Sequence, residues 1–128
     1  GGRALDLPLL GYVAAGAPIE AVVSNETVTV PEDLVGTRDT YALRVRGNSM
    51  IDEQIRDGDL VVVEDRQTAH NGEMVIALLE GAEVTLKKFY RENGHIRLQP
   101  ANDAVAPIIM RADKVQVQGV VVGVMRRY

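Results

Sequence analysis

Apolar and polar positions alternate with a period of two along much of this chain. Tyr41, Leu43 and Val45 alternate with Ala42, Arg44 and Arg46, which is the signature of a half-buried strand. Residues 60–63, 74–79 and 115–124 are β-branched or aliphatic runs bounded by turn residues, the pattern of buried strands. Residues 83–90 read as another strand, with Val84, Leu86, Lys88 and Tyr90 on one face and Thr85, Lys87 and Phe89 on the other. The pattern does not say which face is buried. Asp57-Gly58-Asp59, Asn71-Gly72, Gly81-Ala82 and Asn93-Gly94 supply residues that tolerate positive φ at tight reversals, so adjacent strands are expected to be mostly antiparallel. Residues 31–35, with Pro at the start and acids in the first turn, and residues 50–56 predict short helical turns. Residues 14–26 are small and polar, and predict a mobile loop. The expectation is an all-β domain.

Composition sets limits on that domain. At 128 residues and 46% hydrophobic, the chain is long enough for one real core and too short for two domains. Fourteen basic against 18 acidic side chains give a net charge of -4, which leaves no broad basic surface to neutralise DNA phosphates. No run of 18 apolar residues and no signal-peptide pattern is present, so no membrane partner is expected. The absence of cysteine excludes disulfides, thiolate metal ligands and a cysteine nucleophile, and agrees with a cytosolic setting.

Candidate chemistry narrows quickly. His70 precedes Asn71-Gly72 and His95 follows Asn93-Gly94, both at turns and without a carboxylate placed to orient them. A Ser-His-Asp triad and a structural zinc site are both disfavoured, and no metal or other cofactor is expected. Ser49, after Gly47-Asn48, stands where a strand gives way to a helical turn, a place where free backbone N–H groups converge as in an oxyanion hole. Taken alone, Asn48-Ser49 reads better as a helix cap. A lysine acts as a base only when burial removes its proton, because its ordinary pKa of about 10.4 leaves little neutral amine at pH 7. The pattern by itself leaves Lys87 and Lys88 as solvated strand lysines.

Gly47-Asn48-Ser49-Met50, Glu83-Val84-Thr85-Leu86-Lys87 and Ala15-Gly16 together resemble the C-terminal domain of LexA-type repressors. That self-cleaving module is shared with lambda-type phage repressors and the UmuD mutagenesis proteins. Leu98-Gln99-Pro100-Ala101-Asn102 and the closing residues 119–124 resemble the family too, so the likeness spans residues 7–128, with residues 1–6 a tail or linker. The resemblance implies a LexA/signal-peptidase-like fold of several coiled antiparallel sheets with one or two short helical turns. It implies a serine endopeptidase of the Ser-Lys type, with Ser49 the nucleophile and Lys87, not Lys88, the base, 38 positions apart. Ala15-Gly16 matches the scissile dipeptide, in a cleavage loop of about residues 12–26, and Gly16 permits dihedrals that a Cβ would forbid. Thr85 is expected to hydrogen-bond the lysine amine, and the backbone N–H groups of Asn48 and Ser49 to form the oxyanion hole.

The same resemblance implies a bacterial, cytoplasmic setting and partners. A RecA filament on single-stranded DNA would stimulate the cut, in the SOS response to DNA damage. DNA would be read only through an N-terminal winged helix-turn-helix, for which the residues before Leu7 are too few. Val120, Val121, Val122, Val124 and Met125 form a strongly apolar stretch that predicts an edge strand covered by a second copy in a homodimer. A UmuD-like polymerase accessory and a phage-type repressor dimerisation domain are the alternatives. Ala15, where UmuD proteins typically carry Cys, favours the repressor, and the missing anchor disfavours a membrane signal peptidase.

Overall fold

The computed structural model describes residues 3–22, 25–48, 50 and 53–127. They are all-β, with ten strands: β1 (Ala4–Val13), β2 (Glu20–Ala21), β3 (Thr27–Pro31), β4 (Thr40–Val45), β5 (Leu60–Glu64), β6 (Met74–Leu79), β7 (Glu83–Glu92), β8 (His95–Gln99), β9 (Ile108–Arg111) and β10 (Val115–Met125). They hydrogen-bond in the order β2-β1-β4-β5-β10-β6-β7-β8-β9, with β3 on β1. Every pairing is antiparallel except β1 with β4, which is parallel.

Local chemistry accounts for the reversals. Asn93-Gly94 carries positive φ at both residues of the two-residue turn that joins β7 to β8, and Glu80-Gly81 does so within the three-residue loop, 80–82, that joins β6 to β7. Gly58 and Gly72 also sit at positive φ, in turns that lead into β5 and β6 without closing a tight hairpin. The turn predicted at 31–35 is a 3-10 turn over Glu32–Leu34. At 50–56, Glu53 N–H and Ile55 N–H both donate to the Met50 carbonyl, a single tight turn; residues 51 and 52 of that prediction lie outside the described residues. A further 3-10 turn, Ala112–Lys114, carries no sequence signal strong enough to predict it.

Register breaks between Leu9 and Gly11, Val117 and Gly119, and Val121 and Gly123 bend the sheet so that its side chains fill three apolar clusters. Ile76, Val84 and Leu86 face one cluster; Val75, Ala77 and Phe89, from the opposite faces of β6 and β7, enter another. The question of which face of β7 is buried thus has two answers, because both are.

Two expectations change. β10 is not an edge strand along its whole length: it lies between β5 and β6, and Val120 is buried. Its apolar character comes from this internal position. Pairing with β6 stops at Val120, however, and residues 121–125 hydrogen-bond to β5 alone, so only that half offers an open edge among the described residues. The segment read as a mobile loop is also pinned. Gly11 and Tyr12 of β1 pair with Ala21 and Glu20 of β2, Val22 N–H donates to the Leu10 carbonyl, and Leu9 N–H to the Glu26 carbonyl. The approach is so close at Gly11 that an added Cβ would stand 2.5 Å from the Glu20 carbonyl oxygen. Residues 23 and 24 of this segment lie outside the described residues.

Candidate active site

β8 pairs with β7 only from Lys88 onward, so the stretch from Glu83 to Lys87 has an outer edge that its own sheet leaves uncovered. The turn containing Ala15-Gly16 meets it at Val84. Gly16 N–H donates to the Val84 carbonyl at 3.1 Å, and Val84 N–H donates to the Ala17 carbonyl at 3.1 Å. This pair ties the turn to β7 at a single residue: Gly16 at positive φ and Ala17 both face Val84, two residues against one as in a β-bulge. Gly16 sits at φ 79° with open space around the position of a Cβ, so glycine is required here by backbone conformation and not by crowding.

The base of the turn is held from the other side. Arg46 N–H donates to the Val13 carbonyl, while its guanidinium lies 3.6 Å from the Tyr12 ring centroid and 3.2 Å from Glu20. Val13 is fully buried, and Ala15 packs against the same cluster, which also contains Met50, Ile55, Val84 and Leu86. One apolar cluster therefore unites residues beside Ala15-Gly16, the residue after Ser49 and the strand leading to Lys87.

Ser49 itself lies outside the described residues. Its flanks are anchored. Gly47, at φ 77°, donates its N–H to the Asp57 carboxylate at 2.7 Å, and the Asn48 side-chain oxygen accepts from Asp57 N–H at 3.3 Å. Met50 and Ile55 are buried on the far side. Asp59 then ties the segment down: its carboxylate accepts from Arg56 N–H at 2.8 Å and from both Nε and Nη2 of Arg126, at 2.8 and 2.7 Å. Arg126 also donates to the Gln54 carbonyl. The hydrogen bonds from Arg126 hold the Asp59 carboxyl below the usual carboxylate range, with burial opposing and the Arg56 N–H adding to the effect.

Lys87 is largely buried, its side chain 15% exposed, and its Nζ donates to Glu53 Oε2 at 2.9 Å. Thr85 is buried on the same face of β7, opposite Ala77, but the hydrogen bond expected from it to Lys87 is absent among the described residues; Glu53 takes that place. Glu53 is the site residue that the sequence reading missed. Its only signal there is its position four residues after Ser49. Lys88 is exposed. His70 and His95 are both exposed, at turns or strand ends, and take no part in this site.

The arrangement gathers a small-residue turn, the residues that flank Ser49 and a largely buried lysine around β7. Residues 8–122 match the Peptidase S24-like family. The chain belongs to that family. It is 50% identical over 125 residues to the LexA repressor of Syntrophobacter fumaroxidans, covering 98% of this chain and 60% of that protein. The LexA repressors of Koribacter versatilis and Caldicellulosiruptor saccharolyticus are each 50% identical over 122 residues, covering 95% and 94% of this chain and 58% and 59% of theirs. The chain thus spans about 60% of the length of these relatives. Family membership makes the chain a peptidase-type domain in general. No helix among the described residues is long and apolar enough to cross a membrane.

The Asp59–Arg126 pair generates a prediction. Arg126→Met leaves a buried carboxylate without its main partner, and is expected to destabilise the fold by about 3 kcal/mol at pH 7. Because the carboxyl is held low in the folded state, its contribution is full above the unfolded carboxylate range near pH 4 and is lost as pH falls through the lower folded value. Urea unfolding at several pH values checks this: the gap between wild type and variant should close in acid, and an equal gap at pH 7 and pH 2.5 would rule out the ion pair as its cause.

Proposed function

We propose that this chain is the self-cleaving domain of a LexA-like repressor, cutting its own Ala15-Gly16 bond with Ser49 as nucleophile and Lys87 as base. The observation that carries the reading is the docking of Gly16 and Ala17 on Val84, three residues from Lys87 on the same strand. That is about 10 Å along the strand, within reach of a lysine stem and a serine presented from a facing segment.

Ser49 Oγ would attack the Ala15 carbonyl carbon as its proton passes to neutral Lys87 Nζ. The backbone N–H groups of Asn48 and Ser49 would hold the oxyanion, and Lys87 would return the proton to the Gly16 nitrogen as the peptide bond breaks. The Val84 carbonyl holds the N–H of that departing nitrogen, which fixes the plane of the bond under attack. Water would then release the acyl group from Ser49. In a longer repressor the cut separates a DNA-reading domain from its dimeriser and weakens operator binding by lost avidity. The trigger in this reading is a RecA filament on single-stranded DNA, which would stabilise the docked turn rather than supply catalytic groups. The acidic balance of the chain agrees with DNA being read elsewhere.

Raising the pH of the purified chain should speed the reaction until the lysine is titrated, since only a neutral amine accepts the serine proton. Mass spectrometry should find one new N-terminus, at Gly16, formed at a rate independent of dilution. Ser49→Ala and Lys87→Ala should each abolish it, while Lys88→Ala leaves most of it. Equal loss from Lys88→Ala in a folded protein would overturn the assignment of the base.

Residues 121–125, open on one side, would be covered by the same strand of a second copy. Val124, 42% exposed, is the apolar side chain most available there. Light scattering should show a dimer that Val124→Glu weakens; a wild type monomeric at high micromolar concentration would contradict this interface.

A further inference from the structure

The Glu53 side chain is 2% exposed, yet it carries a carboxylate that is anchored at both oxygens. Oε2 accepts from Lys87 Nζ at 2.9 Å and Oε1 accepts from Ala101 N–H at 2.9 Å. Ala101 follows buried Pro100 at the end of β8, so the second bond fixes the carboxylate to the sheet rather than to the flexible end of another side chain. The turn that carries Glu53 is fixed in turn by Met50 and Ile55 in the core. Glu53 therefore cannot swing away from Lys87 without giving up a buried, charge-assisted bond.

Around Lys87 no other charged side chain competes among the described residues. Across the ladder β6 presents Val75; Glu83, further along the same face of β7, is exposed; Lys88 points to the opposite face and is exposed; the neighbouring Ala101 segment offers a backbone N–H. An amine held by a carboxylate keeps its proton, and one that gives it up leaves a buried anion unpaired, which is strongly unfavourable. A base for Ser49 needs the opposite, a lone pair free of any such partner.

We infer that Glu53 is a positioning residue that restrains the self-cleavage reaction: its carboxylate holds Lys87 in an ion pair, and cutting of Ala15-Gly16 requires that pair to be broken. The inference rests on the Ser49–Lys87 reading and adds a built-in brake to it. The carboxylate competes with Ser49 for Lys87, so a stimulating partner would act by separating Glu53 from Lys87 as well as by favouring the docked turn. Because Ala101 shares the carboxylate, the end of β8 is the route by which a distant contact would loosen it.

Glu53→Gln removes the charge and keeps the side chain's size and its carbonyl acceptor for Ala101 N–H. Self-cleavage of the full chain should become roughly tenfold faster at pH 7, with its pH–rate profile displaced toward acid. A folded Glu53→Gln protein whose profile stays where the wild type has it, or which cuts more slowly, would overturn the inference. Ser49→Ala and Lys87→Ala run alongside: if either still cuts, the Ser-Lys reading has failed, whereas silence in both with an unmoved Glu53→Gln profile rejects the brake alone. Should Glu53→Gln fail to fold, nitrogen-15 lysine and carbon-13 carboxyl NMR on the Ser49→Ala chain decides. The Lys87 amine and Glu53 carboxyl signals should then respond together to pH, and independent titrations would overturn the pairing.

Discussion

The structure turns on one strand edge left open by its own sheet. β7 is ten residues long, and β8 covers its outer edge only over the second half, because the pairing of the two begins at Lys88. Over the first half, backbone donors and acceptors would face solvent or another chain, a liability in any sheet protein. Here Val84 spends both of its outward groups on Gly16 and Ala17. The same two hydrogen bonds that satisfy Val84 fix the backbone of the turn at Gly16 and Ala17.

What surrounds that edge is rigid where the chemistry needs placement. Asp57 pins Gly47 and Asn48, Asp59 joins the same segment to Arg126 after the last strand, and Met50 and Ile55 lock it into the core from below. Arg46 and Gly11 hold the opposite side, the hairpin from which the turn projects. The serine segment and the turn thus approach β7 from two directions, each tethered through backbone hydrogen bonds. Lys87 pairs with Glu53, and that ion pair opposes the role proposed for the lysine. In the proposed reaction the substrate never diffuses away, so an unrestrained site would cut itself at once, and restraint of this kind suits it.

Much of this was legible in the residues, for identifiable reasons. β4, β5, β6, β7 and β10 were readable because their alternation or β-branched runs are long and end at glycine-bearing turns. β1 was not, although Leu7, Leu9, Gly11 and Val13 alternate inward, because Pro8 and the Leu9-Leu10 pair break the pattern and a register shift follows them. β2, two residues long, exists only through its partner. The serine, the lysine and the Ala15-Gly16 turn were read from family motifs, since a cap serine, a strand lysine and a small-residue loop look alike in pattern alone. Glu53 escaped because its importance is tertiary: nothing in the string shows that residues 34 and 48 positions away would meet its two oxygens. The apolar end of β10 misled in part, since burial between two strands and an open edge call for the same residues.

The central claim is that residues 16 and 17 dock on β7 as the chain's own substrate strand, and amide hydrogen exchange tests it most directly. In the Ser49→Ala chain, which should stay uncut, the Val84 and Gly16 N–H groups are predicted to exchange slowly, protected by the Ala17 and Val84 carbonyls. Protection of both should fall together when Gly11→Ala pushes the hairpin away from Glu20. A Val84 amide that exchanges as fast as a free edge amide in the unperturbed chain would contradict the account.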